Sequence, residues 1–150
     1  MDLAQVAQWW TDQPDANIGV ACGLSDLVVL DFDWRNGGDV AWNEWGKDLH
    51  TLKAITPGGV HLYFNHDGAK LHGTAAEGVD VRANHYVLAP PSVTYGTYDW
   101  EEYATKIEDL PEWIRESLTV RAPQQEDRGV VLGDGQDNGS DDRPGVRYNQ

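Results

Sequence analysis

The feature that most constrains this chain is an apolar run that ends in two carboxylates one residue apart, Leu27–Asp33. A short continuous run of aliphatic and β-branched residues is typical of a buried strand. In an extended chain the side chains of residues i and i+2 point to the same face, so we expect Asp31 and Asp33 to lie side by side. Neighbouring carboxylates repel each other unless a proton or a cation lies between them. Because hard divalent cations bind through oxygen atoms, this pair predicts a metal site and a metal-dependent enzyme.

The charge of the chain narrows the classes of function. Its 150 residues suffice for one domain with a full core, and the formal net charge is −14. Residues 1–118 hold 7 Lys and Arg against 19 Asp and Glu, a balance of −12. This balance excludes a protein that coats nucleic acid through charge alone, although metal ions can bridge an acidic chain to phosphates. The single cysteine excludes an intrachain disulfide and a cysteine metal cage.

The chain changes character after Thr119, where it becomes rich in Gly, Asp, Gln and Pro. We therefore predict a folded body over residues 1–118 and a disordered tail or linker over residues 119–150. The first residues lack a basic stretch and a long apolar segment, so no signal peptide is expected. Because no run approaches about 18 apolar residues, we expect a cytoplasmic protein with no membrane partner.

Local patterns predict a mixed α+β fold. Helical periodicity or helix-start signals favour helices over residues 2–12, 40–49, 101–106 and 111–118. Strands are predicted over residues 18–22, 27–33, 60–64, 78–82 and 85–89. In this interpretation Asp39 caps the second helix, residues 65–77 form a polar loop, and His61 lies on the strand face opposite Val60 and Leu62.

Further polar residues lie where other predicted strands meet loops. His61 follows Gly58 and Gly59, two residues whose lack of a side chain allows backbone to approach a ligand closely. Asp80 and Arg82 share a face of their strand. Asp80 would add a third carboxylate to the aspartate pair, and three carboxylates can hold one or two Mg²⁺ or Mn²⁺ ions. Arg82 and His61 could hold a triphosphate, so the set suits phosphoryl or nucleotidyl transfer.

Each of these signals also has a structural explanation when taken alone. The aspartate pair could cap a turn, and His61 could be an ordinary hydrogen-bonded residue of the core or surface. Asp80 and Arg82 could form a surface ion pair. The glycine pair could simply form a turn.

The order and spacing of these segments resemble the primase–polymerase (Prim-Pol) domain of phage and plasmid replication proteins, which belongs to the archaeo-eukaryotic primase superfamily. The resemblance covers about residues 6 to 118. The segments that carry it are Trp9–Trp10, Pro14–Gly23, Leu27–Asp33, Thr56–Phe64, Gly78–Ala83, Tyr86–Ser92 and Gly96–Trp100.

The resemblance implies roles for the residues that match the motifs of the family. Asp31, Asp33 and Asp80 would bind the catalytic Mg²⁺ or Mn²⁺ ions, and His61 would contact the phosphates of the incoming nucleotide. The implied fold is archaeo-eukaryotic primase-like: a small α/β unit joined to an RRM-like sheet with flanking helices, with the active site in the cleft between them. The implied activity is template-directed synthesis of RNA or DNA primers from nucleoside triphosphates on single-stranded DNA, together with a replicative helicase encoded in cis or in trans.

The chain also departs from the family pattern. It starts almost at the Trp-Trp segment, so we expect an N-terminally shortened domain without the first strand and the basic loop of the family. Gly59 stands where the superfamily often has Ser. Two rival functions follow: a non-catalytic module that binds nucleotide or inhibits a replication partner, and a metal-dependent nuclease that uses the same carboxylates.

Overall fold

The computed structural model describes residues 2–103 and 105–121, which form a mixed α+β fold. The helices of these residues are α1 (Leu3–Asp12), α2 (Gly38–Glu44) and α3 (Glu112–Leu118). The strands are β1 (Ile18–Ala21), β2 (Leu27–Asp33), β3 (Lys53–Thr56), β4 (Gly59–Asn65), β5 (Thr74–Ala76), β6 (Val79–Arg82), β7 (Tyr86–Ala89), β8 (Asp99–Trp100) and β9 (Glu108–Asp109). None of the described helices combines the length and the apolar character that crossing a bilayer requires.

The larger sheet has the strand order β5-β6-β2-β4-β3-β8, and β9 adds a short parallel pairing to β4. Strand β2 is antiparallel to both of its neighbours, β4 and β6. It is therefore hydrogen-bonded along both edges, and its apolar residues are buried on both faces of the sheet. Strands β1 and β7 form a separate two-stranded antiparallel sheet.

One face of the larger sheet packs against α2 and α3. Val28, Leu30 and Phe32 of β2 point to this face and are fully or almost fully buried, as is Ile114 of α3. The Phe32 ring makes an edge contact with the Trp42 ring at 5.4 Å between ring centroids. Burying each large side chain of this kind stabilises the fold by about 1.5–3 kcal/mol, so this face is the main core.

The opposite face carries a smaller apolar cluster and then turns polar. Val29 of β2 and Tyr63 of β4 pack there with Cys22 and with Val87 of β7. Side chains two residues further along a strand stay on the same face, so Asp31 emerges on this face beyond the cluster. The face that packs against the smaller sheet is thus also the face that presents the acidic residue.

Most of the predicted elements are present. The predicted strands at residues 27–33, 60–64 and 78–82 are confirmed as β2, β4 and β6, and the first helix is confirmed at Leu3–Asp12. His61 and Tyr63 lie on one face of β4, opposite the buried Val60, as predicted.

The helix predicted over residues 101–106 is wrong. None of the described residues in that range is helical, and the chain follows the edge of the sheet instead. Strand β8 pairs Trp100 with Ala54, and the backbone N–H of Glu101 donates to the carbonyl of Lys53. Edge pairing satisfies backbone groups that a short isolated helix would leave to water, which explains the outcome.

Three other expectations need correction. The second helix ends at Glu44 and a 3₁₀ turn follows, so it does not run to residue 49, and its N-cap is Gly37 instead of Asp39. The predicted loop over residues 65–77 contains β5. Strand β3, which the sequence did not predict, pairs with the whole first half of β4.

The chain stays attached to the body just beyond α3. The N–H of Val120 donates to the carbonyl of Lys70, and Thr119 forms a bridge with Leu71. The predicted tail or linker over residues 119–150 otherwise lies outside the described residues, which end at residue 121.

Candidate active site

Three of the predicted site residues form one row across the middle of the sheet. Asp31 of β2 lies directly opposite His61 of β4 on one side and directly opposite Asp80 of β6 on the other. Directly opposed residues of antiparallel strands point to the same face. The hydrogen-bond register of three strands therefore gathers side chains that are far apart in the sequence.

The two carboxylates of this row share one positively charged neighbour, Arg82. Oδ1 of Asp31 is 3.3 Å from Nε2 of His61, and Oδ2 of Asp31 is 3.7 Å from Nη2 of Arg82. The same Nη2 atom donates a hydrogen bond of 2.5 Å to Oδ2 of Asp80. Arg82 therefore lies between Asp31 and Asp80 and offsets the repulsion between them.

His61 is the buried member of this row, with 6% of its surface exposed. The ring of Tyr98 lies 6.0 Å from the His61 ring, and the Tyr63 ring lies 6.3 Å from it. Among the described residues, His61 Nδ1 and Tyr63 Oη are the buried side-chain polar atoms that have no hydrogen-bond partner. Burial raises the pKa of Tyr63 well above its usual range.

Asp33 ends β2 and caps the turn that follows. Its Oδ1 accepts hydrogen bonds from the backbone N–H of Arg35 at 3.0 Å and from Arg35 Nε at 3.4 Å. Its Oδ2 accepts a hydrogen bond of 2.8 Å from Asn36 Nδ2. The hydrogen bond from Arg35 to Asp33 raises the pKa of the already basic guanidinium. Asp33 thus both faces the site and holds Arg35 beside it.

The glycine pair has a structural explanation at one of its two positions. A Cβ atom at Gly59 would lie 1.7 Å from the carbonyl oxygen of Phe32, which is far closer than atoms can approach. Gly59 is therefore required by the close pairing of β4 with β2. A Cβ atom at Gly58 would lie 2.8 Å from Tyr95 Oη, so Gly58 instead makes room for a residue that lines the site.

Two adjoining hollows open over the row, and both are lined by Asp31, His61 and Tyr98. The small hollow, of about 120 Å³, is completed mainly by Asp33, Arg35, Thr56, Gly58 and Tyr95. The large hollow, of about 360 Å³, is completed by Arg82, His85, Tyr86, Val87 and Leu88. Each hollow therefore contains one arginine.

The residues present fit a hard divalent cation in donor type. Asp31, Asp33 and Asp80 offer carboxylate oxygens on one face of the sheet, which is the chemistry such cations prefer. Within residues 2–103 and 105–121, however, no three Asp, Glu, His or Cys side chains converge as a ready cluster. Two of the carboxylate oxygens that a cation would need already accept hydrogen bonds, that of Asp80 from Arg82 and that of Asp33 from Asn36 in the turn after β2. Cation binding thus requires rotation of these side chains.

The structure adds site residues that the sequence did not identify. Arg35, Tyr95, Tyr98 and His85 line the hollows. The sequence could have indicated Arg35, because it lies in the turn directly after the aspartate pair and a turn residue stays near the end of its strand. Tyr95 and Tyr98 reach the site through a loop whose path no local pattern predicts.

Comparison with known proteins gives one family match. The model of the Prim-Pol family, described as "Bifunctional DNA primase/polymerase, N-terminal", matches residues 1–113. No curated protein and no solved structure matches the chain significantly. The match spans the strands that form the row and all of the residues that line the two hollows.

Proposed function

Because this chain belongs to the Prim-Pol family of DNA primase/polymerases, we propose that it catalyses template-directed nucleotidyl transfer in phage or plasmid DNA replication. The observation that carries the proposal is the row in which Asp31 is flanked by His61 and Asp80 at the floor of an open cleft. The proposal includes an archaeo-eukaryotic primase-like fold, with which the mixed α+β architecture is compatible.

In this proposal Asp31, Asp33 and Asp80 hold two Mg²⁺ or Mn²⁺ ions. Bound there, such ions would neutralise the phosphate oxygens and lower the pKa of the attacking hydroxyl. Binding a cation requires carboxylate oxygens on the same face of the sheet. The register of β2 and β6 places Asp31 and Asp80 in this way. Asp33 can contribute a ligand oxygen to the cation once its hydrogen bond with Asn36 in the turn after β2 is broken.

His61 and Arg82 bind the triphosphate of the incoming nucleotide. Both lie within 4 Å of Asp31, so phosphates that they hold are adjacent to the carboxylates. Arg82 can bind two phosphate oxygens at once, and it becomes free to do so when it leaves Asp80. The burial of His61 fixes its ring, so the direction of its Nε2 atom is set before the nucleotide arrives. The 3′-hydroxyl of the primer then attacks the α-phosphorus, and pyrophosphate leaves.

The first experiment measures incorporation of labelled nucleotides on a single-stranded DNA template with Mg²⁺ or Mn²⁺. The variants Asp31→Asn and Asp80→Asn keep the size of the side chains and remove the charges that would hold cations. We expect both variants to lose incorporation and to remain folded. The matched control is Asp48→Asn, which changes an exposed carboxylate in the 3₁₀ turn that follows α2, away from the row. Full synthesis by Asp31→Asn would refute the assignment.

A second function is a nucleotide-binding or partner-binding module without catalysis. The pairing of Arg82 with both Asp31 and Asp80 favours it, because the arginine already offsets the charges that would attract a cation. Nucleotide binding by the wild-type protein without incorporation would support this module. Loss of the template without consumption of nucleotides would instead indicate a nuclease.

The remaining parts of the proposal concern the cellular setting. We propose that the protein works in the cytoplasm of the host cell with a replicative helicase, encoded either in the same chain or separately. Single-stranded DNA exposed by that helicase would serve as the template. A pull-down with the helicase of the same replicon, with and without single-stranded DNA, tests the partnership.

A further inference from the structure

Each of the two hollows of the site is lined by one strongly exposed tyrosine ring. Tyr95 lines the small hollow and 69% of its surface is exposed, whereas Tyr86 lines the large hollow and 70% of its surface is exposed. A single exposed ring needs no explanation, but two such rings at one site offer flat apolar surfaces that a ligand could cover. The hollows share Asp31, His61 and Tyr98, so the two rings lie on either side of the row.

The ring of Tyr95 is held in place. It lies in a tight loop closed by the pairing of Val93 with Thr97 and by a hydrogen bond from the N–H of Thr94 to the carbonyl of Gly96. The guanidinium of Arg35 lies 5.4 Å from the centre of the ring, which is a cation–π distance. Tyr95 and Arg35 therefore form a pair in which a flat apolar surface adjoins a positive charge.

Tyr86 has a comparable setting. It begins β7 and pairs with Ala21 of β1, so its backbone is fixed. Gly19 of β1 lies beside the Tyr86 ring, since a Cβ atom added there would be 3.6 Å from it. Because this neighbour is a glycine, it has no side chain to cover that part of the ring. Arg82 lines the same hollow and supplies the positive charge. Each hollow thus combines one arginine with one exposed tyrosine whose backbone is held by pairing.

The charge of the body restricts what these pairs can bind. Residues 1–118 carry a balance of −12, so attraction between the body and a phosphate backbone is weak or repulsive. Stacking on aromatic rings does not depend on net charge, and every base offers a flat face to it. Double-stranded DNA hides those faces, whereas a single strand exposes them.

We propose that Tyr86 and Tyr95 stack on bases of a single DNA strand that crosses the site, while Arg35 contacts its phosphates and Arg82 is left to the incoming nucleotide. This inference rests on the proposed function, because it identifies how the same site would hold its template. It also predicts a weak dependence on salt, since a single arginine releases few counterions from the strand.

The test is fluorescence anisotropy of a labelled oligo-dT of about 12 nucleotides, within the range of site sizes known for single-strand binding. EDTA is present, so that no synthesis takes place. Tyr86→Ala and Tyr95→Ala are each expected to weaken binding at least about fivefold, and the double variant at least about 20-fold. Tyr86→Phe and Tyr95→Phe keep the rings and are expected to bind like the wild type. The matched control is Tyr103→Ala, in which the replaced ring is 92% exposed and lines another hollow.

Several outcomes would overturn the inference. These are wild-type affinity in the folded double alanine variant, no measurable binding by the wild-type protein, and equal affinity for duplex DNA of the same length. A logarithmic salt slope much steeper than about −0.7, the value expected for one phosphate contact, would assign binding to charge instead of stacking. If the strand binds through the tyrosines but wild-type protein incorporates no nucleotide, the proposed function fails and this inference stands. If synthesis is normal in the double alanine variant, this inference fails and the proposed function stands.

Discussion

Asp31 and His61 lie directly opposite each other on the two central strands of the larger sheet, and Oδ1 of Asp31 is 3.3 Å from Nε2 of His61. Hydrogen bonds on both sides of β2 fix this register, so neither backbone can slide without unpairing the sheet. The contact is therefore a rigid part of the site, whereas the longer Arg82 side chain can rearrange.

The rigid contact leads to a prediction for His61→Gln. Glutamine can bring an amide nitrogen near the position of Nε2, but its flexible side chain does not hold that nitrogen in place as the buried ring does. In the proposed complex His61 binds a charged phosphate, and a hydrogen bond to a charged group contributes about 1.5–3 kcal/mol, so we expect nucleotide incorporation to fall about 10- to 100-fold. Single-turnover extension of a labelled primer measures the effect, with the exposed His50→Gln as control. Unchanged extension would remove His61 from the site.

Arg82→Met is predicted to have opposite effects on two ligands. Without the guanidinium, Asp31 and Asp80 lose the cation that offsets their repulsion, so Mn²⁺ affinity should rise about two- to fivefold. The affinity for a nucleoside triphosphate should fall, because a phosphate-binding group is lost. Electron paramagnetic resonance of free Mn²⁺ and nucleotide titration measure the two effects. Arg115→Met, which breaks an ion pair with Asp67, is the control and should change neither; weaker Mn²⁺ binding by Arg82→Met would contradict the prediction.

Gly59→Ala should be strongly destabilising. The added Cβ would lie 1.7 Å from the carbonyl oxygen of Phe32, so β2 and β4 would have to separate. We expect the free energy of unfolding to fall by about 3 kcal/mol or more, measured by urea denaturation. Gly73→Ala is the matched control, because no atom of the residues that the structure describes lies within 4 Å of a Cβ added there, and it should change the free energy by less than about 0.5 kcal/mol. Equal stability of the two variants would contradict the observed pairing.

Tyr63→Phe should stabilise the protein. Within the described part of the chain Tyr63 Oη is buried without a hydrogen-bond partner, and burying such a group costs about 1–3 kcal/mol. Removing the hydroxyl should therefore raise the free energy of unfolding by about 1 kcal/mol at neutral pH, again measured with urea. The exposed Tyr103→Phe should have no effect. A loss of stability in Tyr63→Phe would mean that the hydroxyl has a partner.

The burial of Tyr63 also leads us to predict that the folded protein loses stability at alkaline pH. Burial raises the pKa of Tyr63 in the folded protein above the value of about 10 in the unfolded chain. Above pH 10 the unfolded chain releases this proton and the folded protein retains it, so stability falls as the pH rises. The loss approaches about 1.4 kcal/mol per pH unit and is absent in Tyr63→Phe. Parallel urea denaturation at pH 9 to 11 measures the difference between wild type and variant; identical pH profiles would contradict it.

Several elements could be predicted from the sequence because their signals are local. The apolar run of β2, the alternation in β4 and the helical spacing in α1 each identify an element without reference to a partner. The short spacing of Asp80 and Arg82 likewise predicts their shared face, and a hydrogen bond joins them. Their roles in binding metal and nucleotide stay predictions.

Other elements depend on what lies beside them. Lys53 begins β3 although lysine does not favour strands, because its backbone completes the pairing with β4 and its charged group meets Glu101. Residues after Trp100 were expected to form a helix, but they follow the edge that β3 offers. No local pattern contains this information, since the partner strand is some 45 residues away in the chain.

The amino-acid sequence by itself determined which residues alternate between core and polar face, because a side-chain period of two depends only on neighbours along the strand. Only the tertiary structure decided that Asp31 stands between His61 and Asp80, and that Tyr95 and Arg35 adjoin them. The physical reason is that register and loop path are set by hydrogen bonding and packing between distant segments. A pattern can show which face a residue occupies, but the assembled sheet selects its neighbours.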